Sequence, residues 1–151
     1  MDKSAGENKI QLLIDSVQKC QTPICCSGIV NSERCYLISR LIREVNQTHV
    51  VVLPDFKSCE MFADNLNFFA DNDAPEIILF PPYNILPFKR ISYHNETAAN
   101  RIHTLYNLAV NNTPKIVLTP VETLLQRLIP KQILCDYAEL LMCGEEIDRD
   151  A

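Results

Sequence analysis

The sequence predicts an α/β domain: a mostly parallel sheet covered by helices on both faces. Short apolar runs rich in β-branched residues recur at His49–Leu53, Glu76–Phe80 and Lys115–Thr119. Each is followed by a segment whose apolar residues recur at helical spacing. The runs are continuous rather than alternating, the pattern of strands buried on both faces, and strands separated by helices must be joined by right-handed crossovers.

Taken in order, Ile10–Val17 has helical apolar spacing and opens the chain as a helix ending near Cys20. Pro23–Val30 reads as a first buried strand. Tyr36, Leu37, Leu41 and Ile42, with Arg40 and Arg43 between, form the helix after it. His49–Leu53 is a strand closed by Pro54, and Asp55 is placed to cap a helix carrying Phe56, Met61, Phe62, Leu66 and Phe69. Glu76–Phe80 is the next strand. Asn95 is placed to cap a helix whose apolar face holds Ile102, Leu105, Tyr106, Leu108 and Ala109. After the strand Lys115–Thr119, Thr119-Pro-Val-Glu122 reads as a capping box with proline at the first helical position, and Pro130 ends that unit. Arg127 and Lys131 then fall at a helix C-terminus, where cations suit the dipole. Tyr137–Cys143 reads as one more strand, with a turn at Gly144. The expected organisation is a first domain over 1–135 and the start of a second, small domain over 136–151.

Composition excludes several function classes. The chain has 151 residues, enough for one domain to bury a core. A net charge of −5 opposes strong autonomous binding to nucleic acid, which needs a basic footprint. No run of about 18 apolar residues is present, so no membrane partner is expected, and the polar first residues lack the apolar core of a secretion signal. Seven cysteines, an odd number without a CxxC pair, point to a reducing, cytoplasmic setting. The three histidines do not fall at ligand spacing with them, so neither metal nor cofactor is expected.

The first strand–turn–helix invites comparison with the phosphate-binding loop G-x-x-x-x-G-K-[ST]. Its eight positions here run Gly28-Ile-Val-Asn31-Ser-Glu33-Arg34-Cys35. The first glycine is present; Glu33 replaces the second, Arg34 the lysine and Cys35 the hydroxyl. Residues other than glycine resist the positive φ that wraps backbone N–H groups around a phosphate. A thiol is a poor ligand for hard Mg²⁺. At ~4 Å and an effective dielectric of ~20, Glu33 would repel a phosphate charge by roughly 4 kcal/mol. No nucleotide is expected here.

The most distinctive segment runs from Phe80 to Arg101. Three of the nine prolines and four of the eleven Phe and Tyr residues fall within Phe80–Tyr93, beside a Lys-Arg pair. Such a segment is a stiffened aromatic loop. Tyr83, Phe88, Lys89, Arg90, His94 and Arg101 are its candidate contacts to DNA or a protein partner, with stacking aromatics beside cations. The acidic total favours the other reading, in which the aromatics pack on the sheet as a lid. No catalytic constellation is visible.

The run Phe80-Pro-Pro-Tyr-Asn-Ile-Leu-Pro-Phe-Lys-Arg90 through Glu96, then Asn100-Arg-Ile-His-Thr-Leu-Tyr-Asn-Leu108, then Ile116-Val-Leu-Thr-Pro-Val-Glu-Thr-Leu-Leu-Gln-Arg-Leu-Ile-Pro130, resembles the N-terminal region of bacterial transcription-repair coupling factors (Mfd). The resemblance spans nearly the whole chain and is most specific from Phe80 to Pro130. That region is similar in turn to the excision-repair protein UvrB, which has a helicase-like first domain with an inserted small domain that binds UvrA. The resemblance implies a degenerate P-loop, helicase-like domain of the UvrB first-domain type, with no catalysis of its own. The implied partners are the other domains of the parent protein, and UvrA through the adjoining domain that begins near Tyr137. RNA polymerase and DNA would be reached only through the full-length protein, whose ATP-dependent motor lies elsewhere. Gly144-Glu-Glu-Ile-Asp-Arg-Asp looks like the entry to the next domain, and an end at Ala151 would cut into it. Two alternatives stand beside this reading, an active P-loop NTPase or helicase fragment and an autonomous DNA-binding module.

Overall fold

The computed structural model describes residues 3–20, 22–70, 74–83 and 95–137. Their elements are α1 (Lys3–Gln18), α2 (Ser32–Glu44), β1 (His49–Leu53), α3 (Phe56–Phe69), β2 (Glu76–Leu79), α4 (Asn95–Val110), β3 (Lys115–Pro120), α5 (Val121–Leu124) and α6 (Lys131–Tyr137). The three strands form one open parallel sheet in the order β1-β3-β2. The fold is α/β, as the strand runs predict.

β3 occupies the centre and is buried along its whole length. Its period of two sends Ile116 and Leu118 into a cluster with Cys35 and Ile42 of α2 and Cys59, Phe62, Ala63 and Leu66 of α3. Val117 and Thr119 point to the opposite face and are also buried, so both faces of β3 are covered. The register His49↔Ile116 and Glu76↔Lys115 brings β1 and β2 alongside. At the second pair, the Lys115 ammonium donates to Glu76 Oε2 at 2.8 Å. Asp55 caps α3, its side chain accepting from the Ser58 N–H at 2.8 Å.

Four expectations are corrected. Pro23–Val30 is not a strand: residues 22–30 are irregular, Ile24 and Val30 are exposed, and Gly28 at φ +79° turns the chain off an extended path. An apolar run becomes a strand only when a neighbour accepts its backbone hydrogen bonds, and among the described residues β1 pairs with β3 alone. The capping box at Thr119 does not form, because the Thr119 hydroxyl donates to the Phe80 carbonyl and Pro120 takes the cap position without a side-chain bond. Pro130 does not end the helical region but precedes α6, accepting from the Leu134 N–H at 3.0 Å, and Lys131 opens that helix rather than closing one. Tyr137 is accordingly the last residue of a helix, not the first of a strand. The rest of that expected strand, and the expected second domain from 138 on, lie outside the described residues.

The core cysteines give a pH signature. Burial, with the nearby charges of Asp55 and Glu60, pushes the Cys59 thiol from its ordinary 9.0 up to about 11. Burial also raises Cys35. The unfolded chain therefore loses these protons first as the pH rises. The stability that Cys59 contributes is fully present below pH 9.0 and is lost as the pH climbs through about 11. Denaturation midpoints measured across this window should decline for the native chain and decline less for Cys59→Ala.

Candidate functional site

The segment 28–35 folds around its own side chains. Gly28 takes φ +79° and Asn31 φ +46°, so the chain still makes a tight turn into α2. A Cβ on Gly28 would meet nothing within 4 Å, so only its φ favours glycine there. The Val30 N–H donates to Glu33 Oε2 at 3.1 Å, while the Glu33 N–H donates to the Val30 carbonyl at 3.1 Å. The Arg34 Nε donates to the Ile29 carbonyl at 3.2 Å. A carboxylate thus holds a backbone N–H at the start of the helix, the kind of donor that an incoming phosphate would need. The arginine standing at the lysine position is likewise turned onto the loop's own backbone.

Cys35 is 2% exposed and packs in the core cluster, so burial and a raised pKa keep it a protonated thiol. The position that would align with a P-loop's hydroxyl is a packing position here. Glu33 is exposed, which brings its repulsion of a phosphate charge toward the aqueous limit of roughly 1 kcal/mol at ~4 Å. The occupied Val30 N–H and the missing hydroxyl therefore weigh more against nucleotide than the Coulomb repulsion does. A cavity of about 500 Å³ beside the loop opens between α1 and α2, lined by Ile10, Leu13, Ile29 and Leu37 with Lys9 among them, an apolar setting rather than a triphosphate site.

The second candidate cluster lies past the C-terminal end of β2. Arg101 of α4 is 1% exposed. Its guanidinium carbon stands 4.5 Å from the ring centroid of Phe80 and 4.0 Å from that of Tyr83, and Nη1 donates to the Pro81 carbonyl. Its Nε has no hydrogen-bond partner, and among the described residues no carboxylate pairs with it. Gln126 brackets Tyr83, accepting from its N–H at 2.9 Å and donating to its carbonyl at 3.2 Å. The Phe80 N–H donates to the Leu118 carbonyl at 2.9 Å, so residues 80–83 are tied down at both ends.

Of the residues expected to contact DNA or a partner, the structure joins Tyr83 and Arg101, the guanidinium buried and Tyr83 half-buried. Phe88, Lys89, Arg90 and His94 lie outside the described residues. Arg101 is withdrawn from solvent and serves as a plate between two aromatic rings, a geometry in which desolvation strengthens the cation–π attraction to ~2 kcal/mol or more. Phe80 and Gln126 belong to this cluster without having been singled out from the sequence. For Phe80 the available signal was its place at the end of a strand; for Gln126 there was none beyond its presence in the distinctive Ile116–Pro130 run. Among the described residues no group of His, Cys, Asp or Glu could hold a metal ion, and no helix is long and apolar enough to cross a membrane.

No protein-family model matches the chain. Among curated proteins, it is 32% identical over 110 residues to the transcription-repair-coupling factor of Haemophilus influenzae, an alignment covering 73% of this chain and 9% of that protein. It is 27% identical over 115 residues to the transcription-repair-coupling factor of Escherichia coli, covering 74% of this chain and 10% of the relative. The protein of the same name from Myxococcus xanthus is 22% identical over 128 residues, or 82% and 11%. The chain spans about a tenth of the length of the curated relatives it matches.

Proposed function

Because the chain is homologous to the transcription-repair coupling factors, we propose that it is a non-catalytic, UvrB-like domain of such a factor. In this reading residues 1–135 form a helicase-type α/β body that has lost nucleotide binding, and residues after 136 lead into the module that recruits UvrA. The domain scaffolds recruitment of nucleotide-excision repair to RNA polymerase stalled at DNA lesions. Polymerase and DNA are engaged by other parts of the parent protein, in the cytoplasm.

The observation that supports the non-catalytic part is the Val30–Glu33 pairing, in which the loop's own carboxylate takes a backbone donor that a phosphate would use. A phosphate-release assay on the purified chain with Mg-ATP and duplex DNA tests it. No turnover above buffer is expected. Turnover that vanishes in Arg34→Ala would put an active NTPase in its place. Autonomous DNA binding is tested by fluorescence anisotropy with single- and double-stranded oligonucleotides. The buried Arg101 and the charge of −5 lead us to expect no affinity at ~50 mM salt, where electrostatic binding is strong. Tight, steeply salt-dependent binding would replace the scaffold reading with a DNA-binding one.

A further inference from the structure

The C-terminal half of α1 is anchored, because Ile14 is 1% exposed and Gln18 Nε2 donates to the Glu44 carbonyl of α2 at 3.3 Å. Ahead of Ile14 the two helices stand on either side of the cavity of about 500 Å³, a size at which proteins enclose small molecules. Ile10 and Leu13 of α1, Leu37 of α2 and Ile29 of the loop between them form its apolar wall. None of the four is fully buried, so the wall is apolar surface left open to a ligand. Two residues on its lining distinguish it from a gap in packing. A Cβ on Gly6 would meet nothing within 4 Å, so the open space reaches the α1 backbone. Lys9 brings an ammonium that has no ion pair among the described residues. The Glu33 carboxylate, also on the lining, is already held by the Val30 N–H.

We propose that this cavity binds a small amphiphile with an apolar body and one anionic head group. The body lies against Ile10, Leu13, Ile29 and Leu37, and the head sits beside the Lys9 ammonium. An apolar wall gains from every methylene that leaves water. A compact polar ligand would leave that wall wet, and a cationic head would meet Lys9 as a like charge. This ligand class is distinct from a nucleotide, and its binding does not depend on what the 28–35 turn does with phosphate.

Titration of the 151-residue chain with 8-anilinonaphthalene-1-sulfonate, an aromatic body carrying one sulfonate, should give a saturable rise in fluorescence at one dye per chain. Decanoate should displace the dye. Octanoate, two methylenes shorter, should do so about tenfold less well. Decylamine, with the opposite head charge, should also be about tenfold weaker than decanoate. Gly6→Phe fills the cavity from an exposed helix position and should abolish the one-to-one binding. Lys9→Glu reverses the charge beside the head and should weaken decanoate about tenfold. Both positions are exposed, so both variants should keep the circular dichroism and melting temperature of the native chain. Absence of saturable dye binding would overturn the proposal. So would binding that Gly6→Phe leaves intact, or amine and carboxylate competing equally.

Discussion

Arg101→Ala is expected to destabilise the domain by about 3–5 kcal/mol, lowering its melting temperature by on the order of 10 °C. The substitution removes a side chain that is 1% exposed and lies against both Phe80 and Tyr83, and it leaves the Pro81 carbonyl without its donor. Arg101→Met separates the contributions. It keeps an unbranched side chain between the rings and removes the buried charge, whose desolvation offsets part of what stacking contributes. Its loss should be about half that of alanine. Arg101→Lys keeps the charge but not the planar fork, and should fall nearer to alanine than to methionine. Thermal melts of the three variants decide whether this cation is a structural plate or a surface contact. A surface contact would move stability by no more than about 0.5 kcal/mol in each case.

Leu118→Ala should be nearly as damaging, at about 3–4 kcal/mol, read as a lower denaturant midpoint with an unchanged slope. Leu118 is fully buried on the central strand, in one cluster with side chains of α2 and α3. It is paired in register with Val51 on one side and Leu79 on the other. A cavity there loosens both strand pairs and the helix layer together, and no neighbouring element is free to collapse into it. Val50→Ala, on the exposed face of β1, should cost well under about 1 kcal/mol.

The parts of the fold legible from sequence are those where local pattern and tertiary environment agree. His49–Leu53, Glu76–Leu79 and Lys115–Pro120 are β-branched, apolar and bounded by turn residues, and each is a strand. Asp55 caps its helix because short carboxylates at that position need only local geometry. Pro23–Val30 has the same composition as a buried strand, but a strand also needs a partner, and partnership is not a local property. α6 is hidden from sequence because Pro130 reads as a stop; with its fixed φ, proline equally well leads into a helix.

The Arg101 cluster was hidden for a different reason. A charged residue on an amphipathic helix is ordinarily assigned to water. Arg101, Thr104 and Leu108 nonetheless share one face at i, i+3 and i+7, and it is Ile102 that is 41% exposed. The rings of Phe80 and Tyr83 and the Pro81 carbonyl, some twenty residues earlier, make burial of the guanidinium tolerable. The departures of residues 28–35 from the phosphate-loop pattern, by contrast, are legible residue by residue. The structure adds that Glu33 and Arg34 are engaged with the loop backbone itself.

The proposal that this loop binds no nucleotide, its own carboxylate holding the Val30 N–H, is tested most directly by the melting temperature of the purified chain under increasing Mg-ATP. A ligand that binds only the native state at a hundred times its dissociation constant adds about 2.7 kcal/mol, a shift of several degrees that is easily seen. No shift is expected at millimolar Mg-ATP. A saturating upward shift that disappears in Arg34→Ala would contradict it.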